Sequence, residues 1–532
     1  MAFIQAMAKL GINGADVYTE EGVGDYRVTL FTMLNRGLEE KYIQDTVSKI
    51  YNRNMPDEIL DLFVMAFQTR DVRGGKGEKL LFYQFITALY KHDKETVRQM
   101  IRFIPEYGCW RDIWELHKRI PELETDILKF TREAFQLDFA KFHVNKPLSL
   151  LSKWLPREKS VYKGLARKLA DAIYDLEPSS KKRIIMYRKD VSALNKALKT
   201  VEIDMCGGTW ASIHPEAVPG RCLKGHTKAF LNKKLKCEED RYDSEDRMEC
   251  REHFQEFIEG LKNGTKKAHG ANVVMPHELV VKALNRYTTV EEHGINQGQW
   301  ESIRTETLRL GGLGKSVAMC DFSGSMDGTP KLVSLALGIL ISEITHDSFK
   351  NHILTFDDMP TWHSFVGKTL KEKLDSIGYI SQGTSTNFYY ACMCIIQKMK
   401  EHKVPIGEEP EDLIVLTDMG FDDASNRQYK EKWSSQIQDI RDAFKKAGEE
   451  VWGQAWKPPR IIIWNIRAEF KDFHATAHEE GVVQLSGWAP SMLKALQNGI
   501  QVNTPYEGMR AILDDTRYDK VRKVWIDVNE RA

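Results

Sequence analysis

The chain has 532 residues, 42% hydrophobic and 29% charged, with 36 Gly and 17 Pro dispersed along it. That length and composition predict two to four globular domains and exclude collagen-like, low-complexity and wholly disordered chains. Lys plus Arg equals Asp plus Glu at 76 each, which excludes a chain coated in positive charge, although a zero total can hide two opposed halves.

The N-terminal residues Met1 to Lys9 lack a basic segment leading into a long apolar stretch, so no signal peptide is expected. The longest apolar run, Leu332 to Ile341, is about half of the roughly 20 residues that cross a bilayer. Eight cysteines without C-x-x-C spacing read as reduced thiols. Cys206, Cys222, Cys237 and Cys250, with His226 and His253 among them, are spaced too evenly and widely for a zinc knuckle. A soluble, cytoplasmic protein without membrane contact is expected.

From about residue 28 to 300 the periodicity is helical. Pro56 occupies a first-turn position ahead of Ile59, Leu60, Phe63, Val64 and Phe67, which recur at helical spacing. Ile127, Phe130, Ala134 and Leu137 repeat the pattern. Short breaks such as Arg73-Gly74-Gly75-Lys76-Gly77 and Ile104-Pro105-Glu106-Tyr107-Gly108 separate the helices. Successive helices with short connectors predict antiparallel pairs stacked as a HEAT-like repeat module over residues 1–310.

After Gly311-Gly312-Leu313-Gly314 strands and helices alternate. Strands are expected at Ser316–Cys320, His352–Phe356, Leu413–Thr417, Ile461–Ile466 and Val482–Leu485. Helices are expected from Pro330 to about Thr345, Asn387 to Lys403, Ser425 to Val451 and Ser491 to Gln497. This alternation predicts a doubly wound, Rossmann-like sheet over residues 311–500, followed by a C-terminal extension, 501–532. The fold class is therefore α plus α/β, and ligands of such sheets bind at the carboxyl ends of the strands.

The loops expected at those ends carry oxygen ligands. Asp321-Phe322-Ser323-Gly324-Ser325 is D-x-S-x-S, and a turn placing its first, third and fifth residues on one side presents a carboxylate and two hydroxyls to one point. Such hard donors suit Mg²⁺ or another divalent cation. With one charged group among three, the ion stays electrophilic and can accept a carboxylate from a partner. Gly383-Thr384-Ser385-Thr386 opens the next helix, and Asp418 ends the strand Ile414-Val415-Leu416-Thr417. The constellation resembles the metal-ion-dependent adhesion site of von Willebrand factor A domains. That resemblance implies that Asp321, Ser323 and Ser325 hold the metal, with Thr384 on the second loop and Asp418, through water, on the third.

Competing chemistries lack their residues. Ser323 stands where a haloacid-dehalogenase-like phosphatase needs a second Asp, and neither a Walker loop nor a G-x-S-x-G elbow is present. No catalytic nucleophile is identified.

The two halves differ in charge. Residues 1–310 carry 50 basic and 45 acidic residues, and 311–532 carry 26 and 31. From Lys181 to Lys236 there are 13 basic against 4 acidic residues. The candidate RNA contacts are Lys181, Lys182, Arg183, Arg188, Lys189, Arg221, Lys224, Lys228, Lys233, Lys234 and Lys236. Tyr187, Trp210 and Phe230 are interleaved and could stack on bases. Solvated helix faces are the alternative for any one cluster.

A helical-repeat half joined to an A domain is similar to the TROVE-module architecture of the Ro ribonucleoprotein autoantigen, and more closely to an uncharacterised family combining these parts. The resemblance rests on Arg73 to Glu78, Lys153-Trp154-Leu155-Pro156, Trp210-Ala211-Ser212-Ile213, Ala217-Val218-Pro219, Met275-Pro276-His277-Glu278 and the metal-site loops. It implies a ring of helical repeats that binds small or misfolded RNA. The leading expectation is a non-catalytic RNA-binding ribonucleoprotein component with a Mg²⁺ site. The alternative is a metal-dependent protein-interaction scaffold with an acidic protein ligand and no RNA. A hydrolase using Asp357, Asp358, Asp422 or Asp423 is a third reading.

Overall fold

A computed structural model of the chain describes residues 7–235, 237, 239–270, 273–309, 311–355, 360–377, 387–422, 436–497 and 502–530. It is mostly helical, with one six-stranded sheet in the C-terminal half. A two-stranded hairpin, β1 (Ala8–Leu10) and β2 (Asp16–Tyr18), precedes the helices and was not expected from the sequence.

After a single helical turn, Glu20–Val23, come the longer helices α1 (Tyr26–Met33), α2 (Glu40–Arg53), α3 (Pro56–Arg70) and α4 (Lys79–His92). Pro56 does start α3, where a missing N–H is harmless. Next come α5 (Trp110–Arg119), α6 (Glu124–His143), α7 (Lys163–Ile173), α8 (Ser180–Ala197), α9 (Gly220–Phe230) and α10 (Glu245–Lys262). The series closes with α11 (Pro276–Leu284) and α12 (Val290–Arg309).

The sheet contains β3 (Ser316–Cys320), β4 (His352–Thr355), β5 (Thr361–Ser364), β6 (Asp412–Thr417), β7 (Arg460–Asn465) and β8 (Val482–Ser486) in the order β5-β4-β3-β6-β7-β8. All pairings are parallel except β4–β5, an antiparallel edge that the sequence reading did not include. Strands β3, β6 and β8 are buried along their whole length. They are apolar without alternation because a parallel sheet is covered on both faces.

Helices α13 (Thr329–Ile344), α14 (Leu370–Ser376), α15 (Phe388–Glu401) and α16 (Gln436–Trp452) connect these strands. Helix α13 is buried along most of its length, and a Cβ at Gly338 would lie 2.4 Å from the Cys320 sulfur, so glycine sets how closely this helix approaches β3. The short segment expected at 491–497 is a 3-10 helix over Pro490–Leu496. The last residues form α17 (Pro505–Leu513) and α18 (Asp519–Asn529).

The helical series begins and ends on the sheet unit. Helices α1 and α17 pack on β8, α18 packs on α3, and α11 and α12 pack on α13. The first contact is polar as well as apolar: Asn35 donates to the Asn465 carbonyl and Asn465 donates to the Thr32 carbonyl, each at 2.9 Å. Asp61 receives Arg510 at 2.6 Å, and Asp71 receives Arg517 at 2.8 Å. At the other end Trp300 donates to Glu343 at 2.9 Å, and Lys373 pairs with the same carboxylate at 2.6 Å. No helix among the described residues is long and apolar enough to cross a membrane, and all eight cysteines are free thiols.

Candidate metal centre and basic surface

The strand order places the switch point of the sheet between β3 and β6. From β3 the chain winds outward to β4 on one side, and later continues from β6 to β7 on the other. Loops leaving β3 and β6 therefore diverge and leave a crevice at their carboxyl ends. Asp321 directly follows β3 and Asp418 directly follows β6, so both carboxylates stand in that crevice.

The D-x-S-x-S loop is ordered by its own side chains. Asp321 Oδ1 accepts from the Ser323 N–H at 2.9 Å, an Asx turn that folds the loop back. The Ser323 and Ser325 hydroxyls lie 3.1 Å apart. Residues Gly324–Met326 form one turn of 3-10 helix anchored by the fully buried Met326. The second carboxylate oxygen of Asp321 accepts from Thr417 Oγ1 at 2.7 Å, which ties the first loop to the third.

The third loop is held from outside the sheet. Met419 adopts φ +72°, left-handed for a side chain that disfavours it. Its carbonyl accepts from His474 Nε2 at 2.8 Å, and the next carbonyl, of Gly420, accepts from Asn13 Nδ2 at 2.6 Å. Gly14 on the β1–β2 turn bridges to Asp422. Arg467, after β7, donates to the Ser325 carbonyl and pairs with Glu469 at 2.6 Å.

Asp321 and Asp418 are both fully buried. Burial, reinforced by the charge of Asp418, pushes the Asp321 carboxyl up to about 7. Burial also raises Asp418, against the pull of Ser325 and the Gly420 N–H. Asp418 Oδ1 accepts from Gly420 at 3.1 Å, whereas Oδ2 is buried without a hydrogen-bond partner. Neither carboxylate has an ion pair among the described residues. The Arg467 charge pulls on Asp418 without pairing with it, and two like charges withdrawn from water are unfavourable unless a cation joins them.

The donors present fit a hard divalent ion: two carboxylates and two hydroxyls, all oxygen. Among the described residues no group of three or more His, Cys, Asp or Glu is placed to hold a metal. The crevice is thus a mixed carboxylate and hydroxyl set. Thr384 lies outside the described residues, as do Asp357, Asp358 and Asp423. Helix α15 does reach the crevice, because Phe388 at its first turn stacks on Phe421 of the third loop with centroids 4.6 Å apart.

Thr417, His474, Asn13 and Arg467 were missed in the sequence. Thr417 was visible as the residue before Asp418. The other three are brought in by loop conformations that no spacing announces.

The basic segment divides into two groups on different helices, and most of its members are neutralised. On α8, Lys182 lies 4.0 Å from Glu177, Arg183 pairs with Asp171 at 2.9 Å and Arg188 with Glu158 at 3.3 Å. On α9, Arg221 and Lys224 share Glu278 at 3.5 and 2.9 Å. Lys233 pairs with Asp240 at 3.2 Å and Lys234 with Glu239 at 2.6 Å, while Lys228 donates to the Leu235 carbonyl at 3.2 Å. Lys181 and Lys189 are exposed and have no ion pair among the described residues. Lys236 lies outside the described residues.

The expected stacking platform is corrected by the structure. Tyr187 is 1% exposed and donates to the Pro156 carbonyl, and Phe230 is fully buried and stacks on Phe254 at 4.4 Å. Trp210 is covered by the Arg247 guanidinium at 3.6 Å. Tyr187 and Phe230 complete cores that bases cannot reach, and the half-buried Trp210 already has a guanidinium over its ring.

Comparison with known proteins divides the chain at the same place as its change of pattern. Residues 115–311 match a family described as Domain of unknown function (DUF2828). Residues 315–527 match a second, Domain of unknown function (DUF7788). A curated relative, "Uncharacterized protein L728" of Acanthamoeba polyphaga mimivirus, is 25% identical over 516 residues, covering 92% of this chain and 85% of its own length.

Proposed function

We infer that this chain is a non-catalytic, divalent-cation-dependent binding protein. On this reading a von Willebrand A-like unit is displayed by a HEAT-like helical arc. The observation that carries the reading is the pair of buried carboxylates, Asp321 and Asp418, at the switch point of the sheet, neither held in an ion pair among the described residues. Asp321, Ser323 and Ser325 would hold Mg²⁺ from the first loop, Asp418 from the third and Thr384 from the second. When bound, the ion supplies an open coordination position for an oxygen of the partner, an acidic protein group. Thr417 and Arg467 fix the geometry of the first loop, and His474 and Asn13 fix that of the third. The eight free thiols suit a reducing, cytoplasmic setting.

Titration of the full chain with Mg²⁺ or Mn²⁺ by calorimetry tests it. A ligand at a hundred times its Kd adds ~2.7 kcal/mol to stability, visible as a raised unfolding midpoint. Asp321→Ala should abolish both the heat of binding and the shift, and pull-downs of an acidic partner should become insensitive to chelator. An unaltered metal response in Asp321→Ala would remove the site.

A second reading, RNA binding by the helical arc, is favoured by one observation, the exposed Lys181 and Lys189 on α8, which have no ion pair among the described residues. Neutralising two phosphates gives a slope of about −1.4 in log affinity against log salt, at ~0.7 per phosphate. Filter binding of single-stranded RNA without salt dependence, and no nucleic acid absorbance in purified protein, would dismiss it.

A further inference from the structure

The loop that follows Lys153-Trp154-Leu155-Pro156 builds a cationic cleft with helices α7 and α8. One cavity of about 470 Å³ is lined by Arg157, Glu158, Lys159, Tyr187 and Arg188. An adjoining one of about 270 Å³ is lined by Glu158, Arg167, Ala170, Asp171, Ser180, Lys181 and Ile184. Glu158 stands in both walls. Lys181, Ile184 and Arg188 follow one another at helical spacing, as do Arg167, Ala170 and Asp171, so one stripe of each helix faces the cleft.

Charge in this cleft differs from that of the basic segment around it. Its two acids are already neutralised, Glu158 by Arg188 at 3.3 Å and Asp171 by Arg183 at 2.9 Å. Arg157, Lys159, Arg167 and Lys181 have no ion pair among the described residues. Outside the cleft, Arg183, Arg221, Lys224, Lys233 and Lys234 are answered by carboxylates. Here four are left over, two in each of the adjoining cavities, the larger of which has the size of a small-ligand site.

The cleft is also rigid where it matters. Arg157 is half-buried, and among the described residues its guanidinium donates only to the Ser152 carbonyl, at 3.2 Å. Ser160 clasps the loop, donating to the Arg157 carbonyl at 2.8 Å and accepting from its N–H at 3.3 Å. Tyr187 Oη donates to the Pro156 carbonyl at 2.9 Å. Burial holds the Arg157 guanidinium below its usual pKa, an effect that a bound anion would reverse. A planar guanidinium with most of its donors unused, beside two further cations, matches the oxygens of a phosphoryl group.

We propose that this cleft binds the terminal phosphoryl group of a nucleotide-sized ligand, with Arg157, Lys159 and Arg188 on the phosphoryl oxygens and Arg167 and Lys181 in the adjoining cavity. The terminal phosphate could belong to a free nucleotide or to the 5′ end of a short RNA. The proposal does not rest on the metal centre, and its failure would leave that reading untouched.

Calorimetry on the full chain with inorganic phosphate, a nucleoside 5′-monophosphate, and a short single-stranded RNA with and without its 5′-phosphate tests this. Binding of the phosphate-ended ligands should weaken at least tenfold in Arg157→Gln and in Arg188→Gln. It should strengthen several-fold in Glu158→Gln, which removes the one acid common to both cavities. Lys159→Gln, at an exposed position, gives the same loss without touching the packing of the loop. Nucleotide binding that the RNA competes assigns both sources, and nucleotide binding alone assigns the free ligand. No binding, or binding that none of the four variants moves, overturns the proposal. RNA that binds equally well without its 5′-phosphate also overturns it, and gives the cleft to the nucleic acid backbone instead.

Discussion

His277 shows how much a single buried group can set. It lies on α11 at 7% exposure, edge-on to Trp488 with centroids 5.1 Å apart, and its Nδ1 has no hydrogen-bond partner. Burial lowers it from 6.5 to about 4; the nearby Arg36, Lys224 and Arg221 add to the fall and Glu278 opposes it. Between those two values the unfolded chain binds a proton that the folded chain refuses. Stability is therefore full above pH 6.5 and is lost as pH falls towards 4, by up to roughly 3 kcal/mol at 1.36 kcal/mol per unit. In His277→Phe, urea midpoints measured from pH 7 to pH 4 should lose that much of their slope. An acid limb identical to that of the unaltered chain would place the pH dependence elsewhere.

At the same scale, the legible part of the site was the contiguous part. Asp321, Ser323 and Ser325 lie within five residues of one another, and Asp418 ends an apolar run, so their places at strand ends followed from local pattern alone. The partnerless oxygen of Asp418 and the clasp of Arg467 depend on which strands are neighbours, which local pattern does not contain. The basic segment failed for a related reason. Glu158, Asp171, Glu177, Glu278, Glu239 and Asp240 all lie outside residues 181–236, so a count within that window could not see the acids that answer its cations.

Among elements, the loop 71–78 was the most misleading. Arg73-Gly74-Gly75-Lys76-Gly77 reads as a place to receive a ligand, yet Lys76 is fully buried and serves the fold. Its ammonium reaches the Phe31 and Leu34 carbonyls at 3.2 and 2.9 Å and the Ser486 hydroxyl at 2.6 Å, joining the end of α1 to the end of β8. A Cβ at Gly75 would lie 1.9 Å from the Gln68 carbonyl oxygen, so only glycine lets the loop pass so close to α3. Lys76→Met keeps the length of the side chain but strands the Leu34 carbonyl in the interior, whereas the Phe31 carbonyl keeps the Ser486 hydroxyl as a donor. At ~1–3 kcal/mol for one unmet buried group, it should cost about 1 to 2 kcal/mol net of the charge removed. The urea midpoint should fall, and amides of β8 should exchange faster. A midpoint at or above that of the unaltered chain would mean that burying the charge outweighs its three acceptors. The edge pair β4–β5 and the β1–β2 hairpin were missed because strands of three or four residues carry too few positions to display a period.

For the whole molecule, the change of pattern at residue 311 separates kinds of structure and does not separate packing units. Residues 26–119 belong by sequence to the helical half, but α1 covers β8 and α3 supports α17 and α18. Tyr107 donates to the Arg517 carbonyl at 2.7 Å and stacks on Tyr518, and Lys520 meets Glu106 at 2.9 Å. A chain of residues 311–532 alone would expose the face of β8 that α1 covers and leave Asn465 and Ser486 to find new partners. Such a fragment should aggregate when made alone, because a strand face freed of its helices is an adhesive surface. Made together with residues 1–310, it should instead remain in solution and co-purify with them. Size-exclusion chromatography of the single and paired fragments reads the difference. A monomeric, cooperatively unfolding 311–532 fragment would show that the metal centre stands on its own sheet. A fragment folded only in the pair would mean that the hairpin turn at Asn13 and Gly14, which holds the third loop, makes the centre a joint product of both ends of the chain.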